Sequence, residues 1–187
     1  VWGAPNRMNK NGYRKLAKMN LLGPNHNLVH GVYLGASELK LIVDSGASIT
    51  VTPEVELQMS HGMPLTGRLR ELGFQPSIGV DVESNISGDM FTIMRMAMQT
   101  QRNLDNQYIA QKTKMPAQKL SIKPKEALEW ATIESAKALR LDKKVGSLKP
   151  GKQADLILIN KNDLNLFPVN NAVEAVVFHA NGSNVDT

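Results

Sequence analysis

Between residues 28 and 81 the sequence alternates three short β-rich runs with two amphipathic stretches, and this alternation restricts the folds open to it. The runs are LVHGVYL (28–34), SITVT (48–52) and PSIGVD (76–81). Between the first two, Ser37 can cap a helix in which Leu39, Ile42 and Val43 form an i, i+3, i+4 stripe, closed by Gly46. Between the last two, Pro64 suits the first turn of a helix with Leu65, Leu69 and Leu72 inward and Gly73 at its end. Parallel strands need a crossover of about a dozen residues or more, usually helical. The spacing therefore predicts a parallel βαβαβ unit with right-handed crossovers.

The flanks read as follows. Tyr13, Leu16, Ala17 and Met19 share a rough helical face within 12–22, stopped by Gly23-Pro24. Two helical stretches, 88–101 and 105–114, follow the third strand. Met90, Met94 and Met98 recur every four residues, a spacing that suits core filling better than a flexible binding groove. Residues 122–141 form the clearest helix, with Ala127, Leu128, Ala131, Ala138 and Leu139 on one face. Near Val145 the period changes: a Gly- and Pro-containing turn leads into the β-rich run ADLILIN, and a second run, AVEAVVFH, covers 172–179. These predict a small β appendage after the α/β part. No fixed-period repeat is present.

The 187 residues are 42% hydrophobic and 21% charged, ordinary values for a globular domain. No apolar run approaches the roughly 20 residues that cross a bilayer. There is no cysteine, which excludes disulfides and thiolate zinc sites. Any metal must bind through His, Asp or Glu. The start, VWGAPNRMNK, has no signal-peptide core and no initiator Met, and the chain is expected to be a piece cut at both ends. The cytoplasm is the expected compartment. The net charge is +5, with basic clusters at Arg7, Lys10, Arg14, Lys15 and Lys18 and again from Lys112 to Lys125. Neither cluster interleaves aromatic residues for base stacking, so no nucleic-acid partner is expected.

Parallel α/β structures carry reactive groups at the C-terminal ends of their strands. His30, Thr52 and Asp81 all fall at such ends. A histidine there can hydrogen-bond a polar substrate or steady developing charge. An aspartate there can ligate a divalent metal and take a proton from bound water. Either could equally be structural when taken alone. The segment 54–62 is long for a connection in such a unit, and Glu54, Glu56 and His61 are candidate substrate contacts, unless the two acids are simply solvated. One catalytic metal takes about three protein ligands, so His30 and Asp81 cannot make a complete site.

The stretches VHGVYLGASELKLIVDSGASITVTPE, GMPLTGRLRELGFQPSIGVD and ATIESAKALRLDKKVGSLKPGKQADLILI resemble the amidohydrolase superfamily over about residues 20–187. The likeness is to the branch that deaminates or dechlorinates nitrogen heterocycles. It implies an α/β fold: the C-terminal part of a (β/α)8 TIM-type barrel, strands six to eight with flanking helices, in 1–144. The start of a small β-sandwich appendage would occupy 145–187. It implies one divalent metal, zinc rather than iron, a small-molecule substrate, no membrane, and a homo-oligomeric parent enzyme. His30 matches the histidine ending strand six, which contacts substrate or attacking hydroxide. Asp81 matches the strand-eight aspartate, a metal ligand and proton shuttle. The family's paired histidines on strand one and its strand-five histidine have no counterpart here. Nor does a strand-seven histidine, since Val51-Thr52-Pro53 stands in its place. The implied activity is hydrolysis of non-peptide carbon–nitrogen bonds, with the isolated chain inactive. The alternative is a non-catalytic scaffold.

Overall fold

A computed structural model describes residues 11–186. Arg7 and Lys10 of the first basic cluster lie outside the described residues. The framework is a three-stranded parallel sheet of β1 (Asn27–Val29), β2 (Ser48–Val51) and β3 (Ser77–Ile78), in the order β1-β2-β3. Leu28 sits opposite Ile49, and Val51 opposite Ile78. Sequential order without reversal is what a barrel wall requires, whereas a doubly wound sheet reverses direction at its switch point.

The connections follow the expected logic. Helix α1 (Gly12–Lys18) precedes β1, and α2 (Ala36–Asp44) joins β1 to β2. Gly35, not Ser37, occupies the N-cap of α2, and the Glu38 carboxylate reaches back to the Gly35 N–H. Ser37 instead accepts from Arg14 at 2.7 Å, tying α1 to α2. Two short helices, α3 (Pro53–Gln58) and α4 (Thr66–Glu71), join β2 to β3. The stretch 54–62, expected as a long loop, is therefore mostly helical, because Pro53 at the first position pre-sets the turn. Leu65 and Leu69 are fully buried, while Leu72 lies at the rim beside Gly73.

The two helices expected after β3 are one, α5 (Met90–Thr113). No Gly or Pro interrupts 90–113, so nothing terminates it until Lys114 turns left-handed. Phe91, Ile93, Met94, Ala97 and Met98 form its buried stripe, with Met94 and Met98 filling core. The helix expected over 122–141 is divided: α6 (Pro124–Glu129), a π-helical segment (Trp130–Glu134) and α7 (Ser135–Ala138). The π segment adds a residue to the turn and shifts the buried face. Trp130 and Ala136 are buried, while Leu139, expected inward, is 62% exposed. Trp130 Nε1–H donates to Gln75 at 2.8 Å, which satisfies the one polar atom of the ring.

The expected β appendage is not formed within the described residues. Residues 172–179, read as a strand from their apolar run, are helical as α8 (Ala172–Phe178). The ends decide it. Asn171 caps the first turn by accepting from Glu174 N, and Arg95 donates to the carbonyl of Ala180 just beyond the last turn at 2.8 Å. Ala175 and Val177 bury into the common core. The run ADLILIN makes only an isolated antiparallel bridge, Ile159 with Val185. No helix among the described residues is long and apolar enough to cross a membrane.

Candidate active site

His30 and Asp81 directly follow the outer strands, and both have a left-handed backbone, with φ of 69° and 73°. Left-handed conformations cost L-residues free energy and persist only where the surroundings over-determine them. His30 is held by its N–H to the carbonyl of Thr50 at 3.0 Å, an extension of the β1–β2 ladder. The sheet twist brings the two side chains together across the end of β2. His30 Nε2 lies 3.5 Å from Asp81 Oδ2, with the His30 side chain 7% and the Asp81 side chain 29% exposed. This pair is at the open end of the strands, where strand-end chemistry was expected.

The other edge of the His30 ring faces β2 and α3. Nδ1 is 2.8 Å from Thr52 Oγ1 and 3.3 Å from Glu56 Oε1. Glu56 Oε1 also accepts the Thr52 N–H at 3.3 Å. Glu56 has no exposure to solvent. Its pKa is raised: burial dominates, and the Thr52 N–H and the His30 ring only partly offset it. The sign follows. Below its usual pKa of 4.5 the acid is protonated folded or unfolded and its burial costs little. As pH rises through the raised folded value, that relative stability is lost. Glu56→Gln should therefore gain stability relative to the parent chain between pH 4 and pH 7. Urea unfolding at the two pH values checks this, and an unchanged difference would contradict the burial effect.

His61 lies beside the site, its ring edge-on to His30 with centroids 5.7 Å apart. Glu54 turns elsewhere. Its carboxylate accepts the Ser87 N–H at 3.0 Å and the Ser87 O–H at 2.7 Å. One turn on, Gln58 Nε2 donates to the Asn85 carbonyl. Helix α3 thus latches the loop that follows Asp81. Glu54→Ala should cost about 1 kcal/mol and speed amide exchange at Ser87. Unaltered exchange there would remove the latch.

Among the described residues no group of three or more His, Cys, Asp or Glu side chains could hold a metal ion. Asp81 fits as one ligand, being a hard oxygen donor at an open strand end. The sequence pointed to His30, Thr52 and Asp81 by position but not to the Glu56–Thr52–His30 contact. A usable signal was present: Thr52 and Glu56 are four apart across Pro53, which puts Glu56 one helical turn above the strand end.

Residues 9–187 match the profile of the Amidohydrolase family. A 5-methylthioadenosine/S-adenosylhomocysteine deaminase of Teredinibacter turnerae is 35% identical over 177 residues, 94% of this chain and 38% of that protein. A 5'-deoxyadenosine deaminase of Methanosphaera stadtmanae is 32% identical over 181 residues, 96% of this chain and 39% of that protein. The chain thus spans less than two fifths of these relatives. The crystal structure of an adenosine deaminase from Xanthomonas campestris with bound zinc superposes with a TM-score of 0.78 at 24% identity, over 92% of this chain and 37% of that one. The arrangement of β1 to β3 is thereby that of part of an amidohydrolase barrel.

Proposed function

Since the chain belongs to the amidohydrolase family, we propose that it supplies the strand-six-to-eight part of the active site of a metal-dependent hydrolase. The reaction is hydrolytic deamination of a nitrogen heterocycle, with dechlorination as the neighbouring chemistry. One observation carries this: His30 and Asp81, both held in strained backbone at strand ends, meet at 3.5 Å. The relatives' names favour an aminopurine ring over a triazine.

Asp81 is one ligand of a divalent metal, zinc in preference to iron, which when bound makes water ionise near neutral pH. The Asp81 carboxylate takes the proton that the attacking water loses and returns it to the departing nitrogen. His30 Nε2 orients the water or substrate at the ring carbon. His61 forms the adjoining wall against a small-molecule substrate, and Glu54 shapes the pocket through the 82–88 loop. The described residues offer no three-ligand group, so the 187-residue chain alone is inactive on this reading. Residues 145–187 join a small β domain beside the barrel. The exposed run Leu156, Ile157 and Leu158, already extended toward one bridge, supports this. The cytoplasm remains the proposed compartment.

A screen of the full-length, zinc-loaded protein against adenosine-type nucleosides, guanine, cytosine and chlorotriazines tests the proposal. Ammonia or chloride release is expected. A protein that holds stoichiometric metal and releases neither overturns it. The second reading, a non-catalytic scaffold, is favoured by Thr52 at the end of β2, where a histidine ends strand seven in many relatives, and failure to retain metal would establish it.

A further inference from the structure

Glu56 poses a physical problem. It is a wholly buried acid, and its second oxygen, Oε2, has no hydrogen-bond partner among the described residues. Burying a carboxylate is costly unless it is paired and hydrogen-bonded, and an apolar side chain would fill the same space without that cost. All of its bonding runs through Oε1, to the Thr52 N–H and to the His30 ring.

We propose that Glu56 is a positioning residue for His30: together with Thr52 it receives the Nδ1–H of the ring, so that Nε2 is held toward Asp81 and the open end of the strands. The proposal rests on the reading of His30 as an active-site residue. Two acceptors crowd one ring edge, Thr52 Oγ1 at 2.8 Å and Glu56 Oε1 at 3.3 Å. A nitrogen lone pair facing a carboxylate oxygen would be repelled, so the proton belongs on Nδ1. The acceptors are themselves fixed. The Glu56 N–H donates to the Thr52 carbonyl at 3.0 Å, and the His61 N–H donates to the Glu56 carbonyl at 2.8 Å. The strained backbone of His30 fixes the ring from the other side. A ring held at both ends has one rotamer and one tautomer, the usual task of an outer partner behind an active-site histidine.

The chain has four histidines, which makes the test tractable by NMR of 15N-histidine-labelled protein. The His30 Nδ1-bound proton, assigned by its loss in His30→Asn, is expected as an exchange-protected low-field signal. It should persist but move upfield in Glu56→Gln, whose amide oxygen is a weaker acceptor, and vanish in Glu56→Leu. In the full-length enzyme Glu56→Leu should lower kcat about 10–100-fold with little change in KM, and Glu56→Gln should retain most activity. A signal unchanged in Glu56→Leu overturns the proposal. So does a rise in KM at constant kcat in either variant, which would make Glu56 a substrate contact. If Glu56→Leu fails to fold, the Glu56→Gln shift decides alone, and its absence is equally fatal. The signature following Glu56 in a protein without deaminase activity would uphold the positioning role and sink only the functional reading.

Discussion

Asp81→Asn is expected to lower turnover of the complete enzyme about 10²–10⁴-fold, the range set by losing a positioned proton carrier. The amide preserves shape and keeps an oxygen toward His30, but it cannot accept the proton released by water and is a poorer metal donor. Because the side chain is 29% exposed, the fold should survive. Metal content and kcat should fall together, and wild-type turnover would remove Asp81 from the chemistry. A companion pair separates chemistry from backbone strain. Asp81→Gly and Asp81→Ala should both be inactive, yet the glycine variant should be the more stable by about 1 kcal/mol. Glycine adopts a φ of 73° without the Cβ clash that alanine meets there. Equal unfolding midpoints would show that the left-handed turn stores no strain.

Trp130→Ala is expected to cost about 3–5 kcal/mol, the largest stability loss foreseen for a single change in this chain. The ring is fully buried where the 124–138 helix meets the sheet, and its N–H bond to Gln75 also ties that helix to the segment leading into β3. Domains of this size are stable by about 5–15 kcal/mol in total, so the variant should melt well below the parent or fail to accumulate folded. Thermal unfolding followed by circular dichroism measures it. A midpoint within a degree or two of the parent would mean that the ring contributes no packing. Since Trp130 is far from the strand ends in function, any folded fraction should keep its metal affinity.

The βαβαβ unit was legible because each piece carries its own punctuation: Gly46 after α2, Gly73 after α4, and β-branched residues in SITVT. His30 and Asp81 were legible for a related reason, since position at a strand end follows from local pattern. Their backbone strain was not legible, because it arises from the ladder bond to Thr50 and from neighbours distant in sequence. The role of Glu56 needed the crossing of three elements. The strand expected at 172–179 failed because AVEAVVFH is apolar at almost every position and carries no clear period. Asn171 and Arg95, at its two ends, settle it as a helix. The appendage near Val145 was read from the family likeness and from ADLILIN, and that run finds one bridge among the described residues.

The wide turn at Trp130–Glu134 has a consequence for how this chain tolerates insertion and deletion. The Ser135 hydroxyl lies 2.6 Å from the Trp130 carbonyl and accepts the Ile78 N–H at 3.4 Å, so a side chain of the helix substitutes for a missing strand neighbour of β3. Deleting one residue from 130–134 would restore regular helix and rotate everything after it by about 100°. Ser135 would swing off the sheet, and the strand that carries Asp81 would lose its support. The extra residue therefore acts as a register pin between helix and sheet, and length at this point is constrained as tightly as residue identity.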